Sequence, residues 1–287
     1  MSKLEMNTLC HKTVVLTVLL WAPWVILQAS DNKPVPKAEP TNAKEAADKK
    51  NVAVAELEAK YVALVAKLPP EEQAWERVLQ ENLGSFYLPL YKNGRVKGSA
   101  QAWDYVKDVP GLPRVLLIGD SVSRGYTLAA RKALAGKANV HRAPENCGPS
   151  ANGLKKLDIW LAGAKWDVIH FNFGIHDRST PPADYQQRLE TLVARMKATG
   201  AKVIWASTTP VPADTKDGPK AAEQIVEKNR IAAEVMAKQG VAIDDLFTFI
   251  TPHLAKVQNP KDVHFNGDGY DLLGKQVAEM IGQTLSK

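Results

Sequence analysis

From Arg114 onward, apolar runs rich in Val and Ile alternate with amphipathic stretches of helical length. The runs are RVLLIG (114–119), ANVHRA (138–143), WDVIHFNFG (166–174), AKVIWAST (201–208) and VAIDDLF (241–247). A strand buried on both faces reads as such a continuous run, and strands alternating with helices build a parallel sheet covered on both sides. The pattern predicts a βαβαβαβαβα order whose ligands bind outside the carboxyl ends of the strands.

Ahead of this region the periodicity changes. Val54, Leu57, Tyr61, Leu64 and Leu68 recur at alternating spacings of three and four, a one-sided helical stripe that Pro69 and Pro70 end. The spacing predicts a further helix over about residues 71–82. Residues 84–113 read as an irregular, aromatic-rich approach to the core, with Trp and Tyr used for packing. Residues 31–50 combine Pro, Ala and charge with almost nothing to bury, which predicts an extended, mobile linker. In the first thirty residues, Lys3 and Lys12 precede an uncharged run over 13–30 whose apolar part is shorter than a comfortable membrane span. This reads as a secretory signal, with an uncleaved N-terminal anchor and membrane tether as the alternative. Both readings place the main body outside the cytoplasm, as a secreted, periplasmic or cell-envelope protein. The expected organisation is a signal or anchor (1–30), a linker (31–50), a helical and irregular extension (51–112) and the α/β domain (113–287).

Composition narrows the function classes. At 287 residues and 45% hydrophobic, the chain can bury one sizeable core with appendages. Its formal charge of +6 is spread along the sequence without an Arg-rich stripe, so no nucleic-acid partner is implied. Cys10 precedes the apolar run and Cys147 stands alone in the main body, which excludes an internal disulfide after removal of the signal. No His, Cys and acidic residues have metal-ligand spacing and no GK[ST] loop is present, so neither metal nor cofactor is expected. The oligomeric state is left open.

The candidate chemistry lies in three blocks. In LLIGDSVSRGY (116–126) a buried strand delivers Ser121 to the mouth of the sheet where a helix begins, either as a nucleophile or as that helix's N-cap. FGIHD (173–177) follows the third strand, and DVHFNGDGYDLLGKQVAE (262–279) precedes and enters a C-terminal helix. Together, across about residues 113–285, these blocks resemble the GDSL/SGNH hydrolase superfamily. The resemblance implies a three-layer α/β/α sandwich around a five-stranded parallel sheet, flavodoxin-like, here preceded by N-terminal helices.

It also implies roles: Ser121 as nucleophile, His264 as general base and Asp262 as the carboxylate that orients the imidazole. The family places the aspartate three residues before the histidine, where this chain has Lys261. In an extended segment residues two apart share a side, so Asp262 is expected to reach the ring. Asp268 and Asp271 read as helix-start residues. For the oxyanion hole, the family uses a backbone N–H after the serine, a glycine N–H and an asparagine side chain. The second block resembles ENCGPSANG (145–153), where Gly148 and Gly153 are both candidates. His176 stands where the family has asparagine and is the expected third donor, with Asn172 as the alternative of the same strand parity. His141, Arg142 and Glu145 are expected at the mouth of the site, His170 inside the core, and Cys147 as inert packing.

Two readings follow. One is an exported serine esterase acting through an acyl-enzyme on a small-molecule or glycan acyl ester, with acetylated carbohydrate favoured over lipid because the catalytic part lacks a long amphipathic surface. The other is a non-catalytic binding or envelope-scaffolding domain, motivated by the altered third block and the shortened last one. The presence of both Ser121 and His264 favours catalysis.

Overall fold

The computed structural model describes residues 40–162, 165–214 and 218–287. The chain divides into two compact units, Met1–Asp48 and Lys49–Lys287. The expected signal or anchor and the first part of the expected linker lie outside the described residues. Within the first unit, residues 40–48 are helical, and their helix, α1 (Pro40–Val65), continues into the second. Residues 40–50 are thus helical rather than an extended linker. Ala, Lys and Glu are strong helix formers, and an exposed helix needs nothing to bury; Pro40 is tolerated in the first turn.

The second unit continues with α2 (Pro70–Asn82) and α3 (Gly84–Val96). Helix α3 corrects the irregular reading of residues 84–96 and contains Pro89 in its interior. Tyr87, Leu88 and Tyr91 recur at helical spacing and pack with Tyr61, Leu79, Leu83 and Trp103, and this burial outweighs the proline's cost of about 3 kcal/mol. At the centre of the cluster, the buried Glu76 carboxylate accepts hydrogen bonds from the Tyr61 and Tyr91 hydroxyls at 2.6 and 2.8 Å and pairs with Arg95 at 3.2 Å. The α1 stripe is buried chiefly at Tyr61; Val54 is exposed.

The α/β region runs β1 (Arg114–Ile118), α4 (Ser121–Ala133), β2 (Asn139–Arg142), α5 (Ser150–Leu161), β3 (Val168–Phe171), α6 (Pro182–Ala198), β4 (Lys202–Ala206), α7 (Gly218–Gln239), β5 (Ala242–Asp244), the short α8 (Leu246–Ile250) and α9 (Leu254–Val257), and α10 (Gly267–Leu285). All strand pairs are parallel, in the order β2-β1-β3-β4-β5, as the alternation of strands and helices predicts. The period of two sorts the side chains. Leu116, Ile118, Ile169, Phe171 and Trp205 face α5, α6 and α7, whereas Val115, Leu117, Val168 and Ile204 face α4 and α10. Among the described residues no helix is long and apolar enough to cross a membrane.

Two further contacts position the site. Helix α10 lies close against α4 because Gly125 and Gly274 carry no side chain: a Cβ on Gly125 would stand 2.0 Å from the Tyr270 ring, and one on Gly274 would stand 2.4 Å from Ala129 Cβ. At the sheet edge, the Asn139 amide donates to the carbonyls of Val109 and Leu112 at 3.1 and 3.2 Å and accepts from the Val109 N–H at 2.9 Å. The extension thereby covers β2 through side-chain hydrogen bonds instead of another strand. Glu76→Ala leaves two buried phenols without their acceptor and removes the nearer carboxylate partner of Arg95. It should cost about 3 kcal/mol, read as a lower melting temperature and faster amide exchange in α2 and α3.

Candidate active site

The turn from β1 into α4 carries Ser121. Asp120 has extended backbone (φ −88°, ψ −155°), and its side chain accepts from the Val122 N–H at 2.9 Å and the Ser123 N–H at 3.5 Å. Asp120 is therefore the N-cap of α4 and Ser121 the first helical residue, which settles the nucleophile-or-cap alternative against a capping Ser121. The cap has a second consequence. The N–H of Val122, expected as an oxyanion donor, is committed to Asp120, while the N–H of Ser121 itself has no hydrogen-bond partner among the described residues.

His264 reaches the same point from the other side. Its loop is closed by an antiparallel bridge between Gln258 and Phe265 and by bonds from Asn259 N to His264 O (2.9 Å) and from Asp262 N to Asn259 O (3.2 Å). The segment is bent rather than extended. Lys261, at the position where the family has aspartate, adopts a left-handed backbone (φ 55°), a conformation that costs a non-glycine residue about 1 kcal/mol. After that turn the Asp262 carboxylate folds onto its own neighbour, accepting from the His264 N–H at 3.2 Å and the His264 Nδ1–H at 2.7 Å. With the Nδ1 proton held in place by this acceptor, Nε2 is free to accept, and it lies 2.7 Å from Ser121 Oγ. Asp262, His264 and Ser121 thus form one hydrogen-bonded chain. Partial burial raises the Asp262 carboxyl, but the hydrogen bonds from the His264 ring and backbone outweigh it and hold the group below its ordinary 3.8.

The oxyanion candidates separate clearly. Gly148 has a left-handed backbone (φ 64°) that favours glycine, its N–H has no partner among the described residues, and the adjoining Cys147 N–H bonds to Gly119 O at 3.1 Å, tying this loop to the serine turn. Gly153 instead lies inside α5 with its N–H bonded to Pro149 O, and a Cβ there would stand 2.7 Å from the Phe173 ring. It is a packing glycine. Asn172 is buried and spends both amide protons, on Ala206 O at 2.8 Å and Thr208 Oγ1 at 3.0 Å, joining β3 to the strand-end of β4. Neither Gly153 nor Asn172 has a donor to offer. His176 lies in a 3₁₀ turn (Ile175–Asp177) after β3, exposed and without a hydrogen-bond partner among the described residues.

Two supports escaped the motif reading. The buried Asp177 carboxylate accepts from Ser150 N and Ser150 Oγ, each at 2.7 Å, and from Thr180 Oγ1 at 3.2 Å. It caps α5 across the fold where Pro149 has no capping side chain, locking the second block to the third. Arg142, fully buried, donates to Gly119 O at 3.0 Å, Asp120 O at 2.9 Å and Ser123 Oγ at 2.5 Å, so one guanidinium grips the serine turn. Its place at the end of β2 was visible in the sequence; its partners on β1 and α4 were not. His141 pairs with Asp108 at 2.7 Å, and Glu145 accepts from Trp160 Nε1 at 2.8 Å, so neither lies free at the site mouth. His170 is wholly buried and pairs with Asp244 at 3.0 Å, and burial pushes the Cys147 thiol up to about 12.

The hydrogen-bonded chain of Asp262, His264 and Ser121 lies at the carboxyl end of the five-stranded parallel sheet. The model of the GDSL-like lipase/acylhydrolase family matches residues 117–272, and the chain belongs to that family, within the GDSL/SGNH superfamily of ester hydrolases. Solved structures share the fold. A lipase/acylhydrolase from Enterococcus faecalis is 24% identical with a TM-score of 0.53, covering 60% of this chain and 96% of its own. An acetylxylan esterase from Geobacillus stearothermophilus is 14% identical with a TM-score of 0.52, covering 59% and 94%. A further acetyl xylan esterase, AlAXEase, is 12% identical with a TM-score of 0.51, covering 58% and 98%. No curated protein sequence matches.

The depressed Asp262 carboxyl has a pH signature. Its folded value lies below the unfolded one, so its contribution to stability is complete above an unfolded pKa of about 3.9 and is lost as pH falls through the lower folded value. The melting temperatures of wild type and Asp262→Asn should therefore differ at neutral pH and converge on acidification below about pH 4.

Proposed function

We propose that this protein is an exported serine ester hydrolase that removes acyl groups, with acetylated carbohydrate as its substrate class. The observation that carries the reading is the continuous chain from Asp262 through His264 to Ser121, with 2.7 Å at each link. Nucleophile, base and orienting carboxylate require this order of contacts.

In the proposed reaction, Ser121 Oγ attacks the acyl carbonyl carbon as its proton passes to His264 Nε2. Asp262 holds Nδ1–H and stabilises the imidazolium. The carbonyl oxygen becomes an oxyanion facing the uncommitted N–H groups of Ser121 and Gly148, at the positive end of α4. Collapse breaks the ester C–O bond, and the imidazolium proton goes to the departing alcohol. Water, deprotonated by the same imidazole, then attacks the acyl-enzyme, releasing the acid and restoring Ser121. We assign His176 as the third donor, because Asn172 has no proton to spare. Support for a carbohydrate acetyl ester comes from the acetylxylan esterases that share the fold. Support for export comes from the uncharged run over residues 13–30.

Hydrolysis of p-nitrophenyl acetate tests the reading directly. Wild type should turn over and react with a fluorophosphonate probe, and folded Ser121→Ala should do neither; an inert wild-type serine rejects the esterase. His176→Ala should lower turnover by about 10² with the melting temperature unchanged, and an unaltered turnover number removes His176 from the oxyanion hole.

A further inference from the structure

A cavity of about 460 Å³ lies apart from Ser121, Asp262 and His264, none of which lines it. It opens beside the covered edge of β2, between α2, residues 104–108 of the extension, and α5. Its size is that of a small-molecule site.

The lining has two components. Four aromatic side chains, Trp75, Tyr105, Trp160 and Trp166, supply broad apolar surfaces. Three guanidinium groups join them: Arg114 from β1, Arg131 from α4 and Arg142 from β2. The hydrogen-bonding inventory of the cavity is unbalanced. Its two carboxylates are spent within the protein: Asp108 on His141 (2.7 Å) and Arg114 Nε (2.9 Å), and Asp104 on the Gln101 N–H (2.6 Å) and Arg95 (3.5 Å). Donors remain in excess. The terminal nitrogens of Arg114 carry no hydrogen bond among the described residues, and Arg142 Nε is buried without a partner. Arg131 spends Nε on Val140 O and one terminal nitrogen on Gln101 O, leaving the other. The Arg114 guanidinium also lies over the Trp166 ring, with its carbon 4.6 Å from the ring centroid.

A cavity with surplus guanidinium donors calls for a ligand that brings acceptors, and the acceptor matched to a planar guanidinium fork is a carboxylate. Aromatic walls call for a flat or C–H-faced ring beside that carboxylate. We propose that this cavity is a binding site, separate from the serine centre, for a ring-bearing carboxylate. A uronic acid unit of a glycan and an aromatic acid are its two sources. The proposal stands independently of the ester chemistry.

The test titrates the full chain with glucuronate, benzoate and neutral glucose, following tryptophan fluorescence and, in parallel, the heat of binding. At least one of the two anions should quench saturably while glucose does not, and the one that binds identifies a sugar acid or an aromatic acid as the source. Arg114→Gln should weaken that binding by about tenfold or more. The half-buried Tyr105→Ala, which removes a wall and no charge, should weaken it as well. Both variants should retain wild-type p-nitrophenyl acetate hydrolysis, which separates this site from the serine centre. Absence of saturable binding by either anion, glucose binding as tightly as the anion, or undiminished binding in Arg114→Gln overturns the proposal.

Discussion

Everything at the serine depends on how the buried turn between β1 and α4 satisfies its backbone. A turn removed from water must find partners for its carbonyls and for the first N–H groups of the helix it opens. Arg142 takes the carbonyls of Gly119 and Asp120, and the Asp120 side chain takes the N–H of Val122 and, more weakly, of Ser123. The N–H of Ser121 is left over, beside its own hydroxyl and at the positive end of α4. The turn is thus held by groups other than the serine, which leaves the serine's N–H unpaired among the described residues and its oxygen against His264 Nε2.

The second half of the site arrives by helix packing. Gly125 and Gly274 remove the side chains that would keep α4 and α10 apart, so the loop entering α10 ends above the start of α4. That loop is short by one residue relative to the family's spacing. The left-handed Lys261 absorbs the difference, and Asp262 bends back onto the histidine two residues later. A local backbone cost of about 1 kcal/mol is small beside two hydrogen bonds to an ionised carboxylate, each worth about 1.5–3 kcal/mol. The substitution of D-x-H for the family's longer spacing therefore preserves the contact while changing the turn that makes it. The third block has a buried anchor, Asp177, and presents an exposed His176 where the family has asparagine.

The extension has its own core around Glu76 and also covers the open edge of β2. In doing so it builds one wall of the aromatic and cationic cavity, so the fold's edge protection and the proposed carboxylate site come from the same segment.

Strand and helix alternation from Arg114 onward was legible in the sequence because strands buried on both faces must be continuously apolar, and the parallel five-stranded sheet follows from that alternation. Ser121, Asp262 and His264 were legible for a different reason: each sits in a short block beside a predictable element. Local composition misled where tertiary burial or plain exposure overrode it, at the proline-containing α3 and in the polar start of α1. Gly148, Gly153, His176 and Asn172 were legible as candidate donors, but which of them keeps an unspent proton was not. The amide of Asn172 is spent on acceptors that the fold brings to it from the end of β4, whereas the N–H groups of Val122 and Gly153 are taken by near neighbours, the Asp120 side chain and Pro149 O, and that of Gly148 meets no acceptor among the described residues. Sequence alone determined which residue types stand at the strand ends; only the tertiary structure decided which of their protons remain unspent, because a hydrogen bond's partner is chosen by proximity in space.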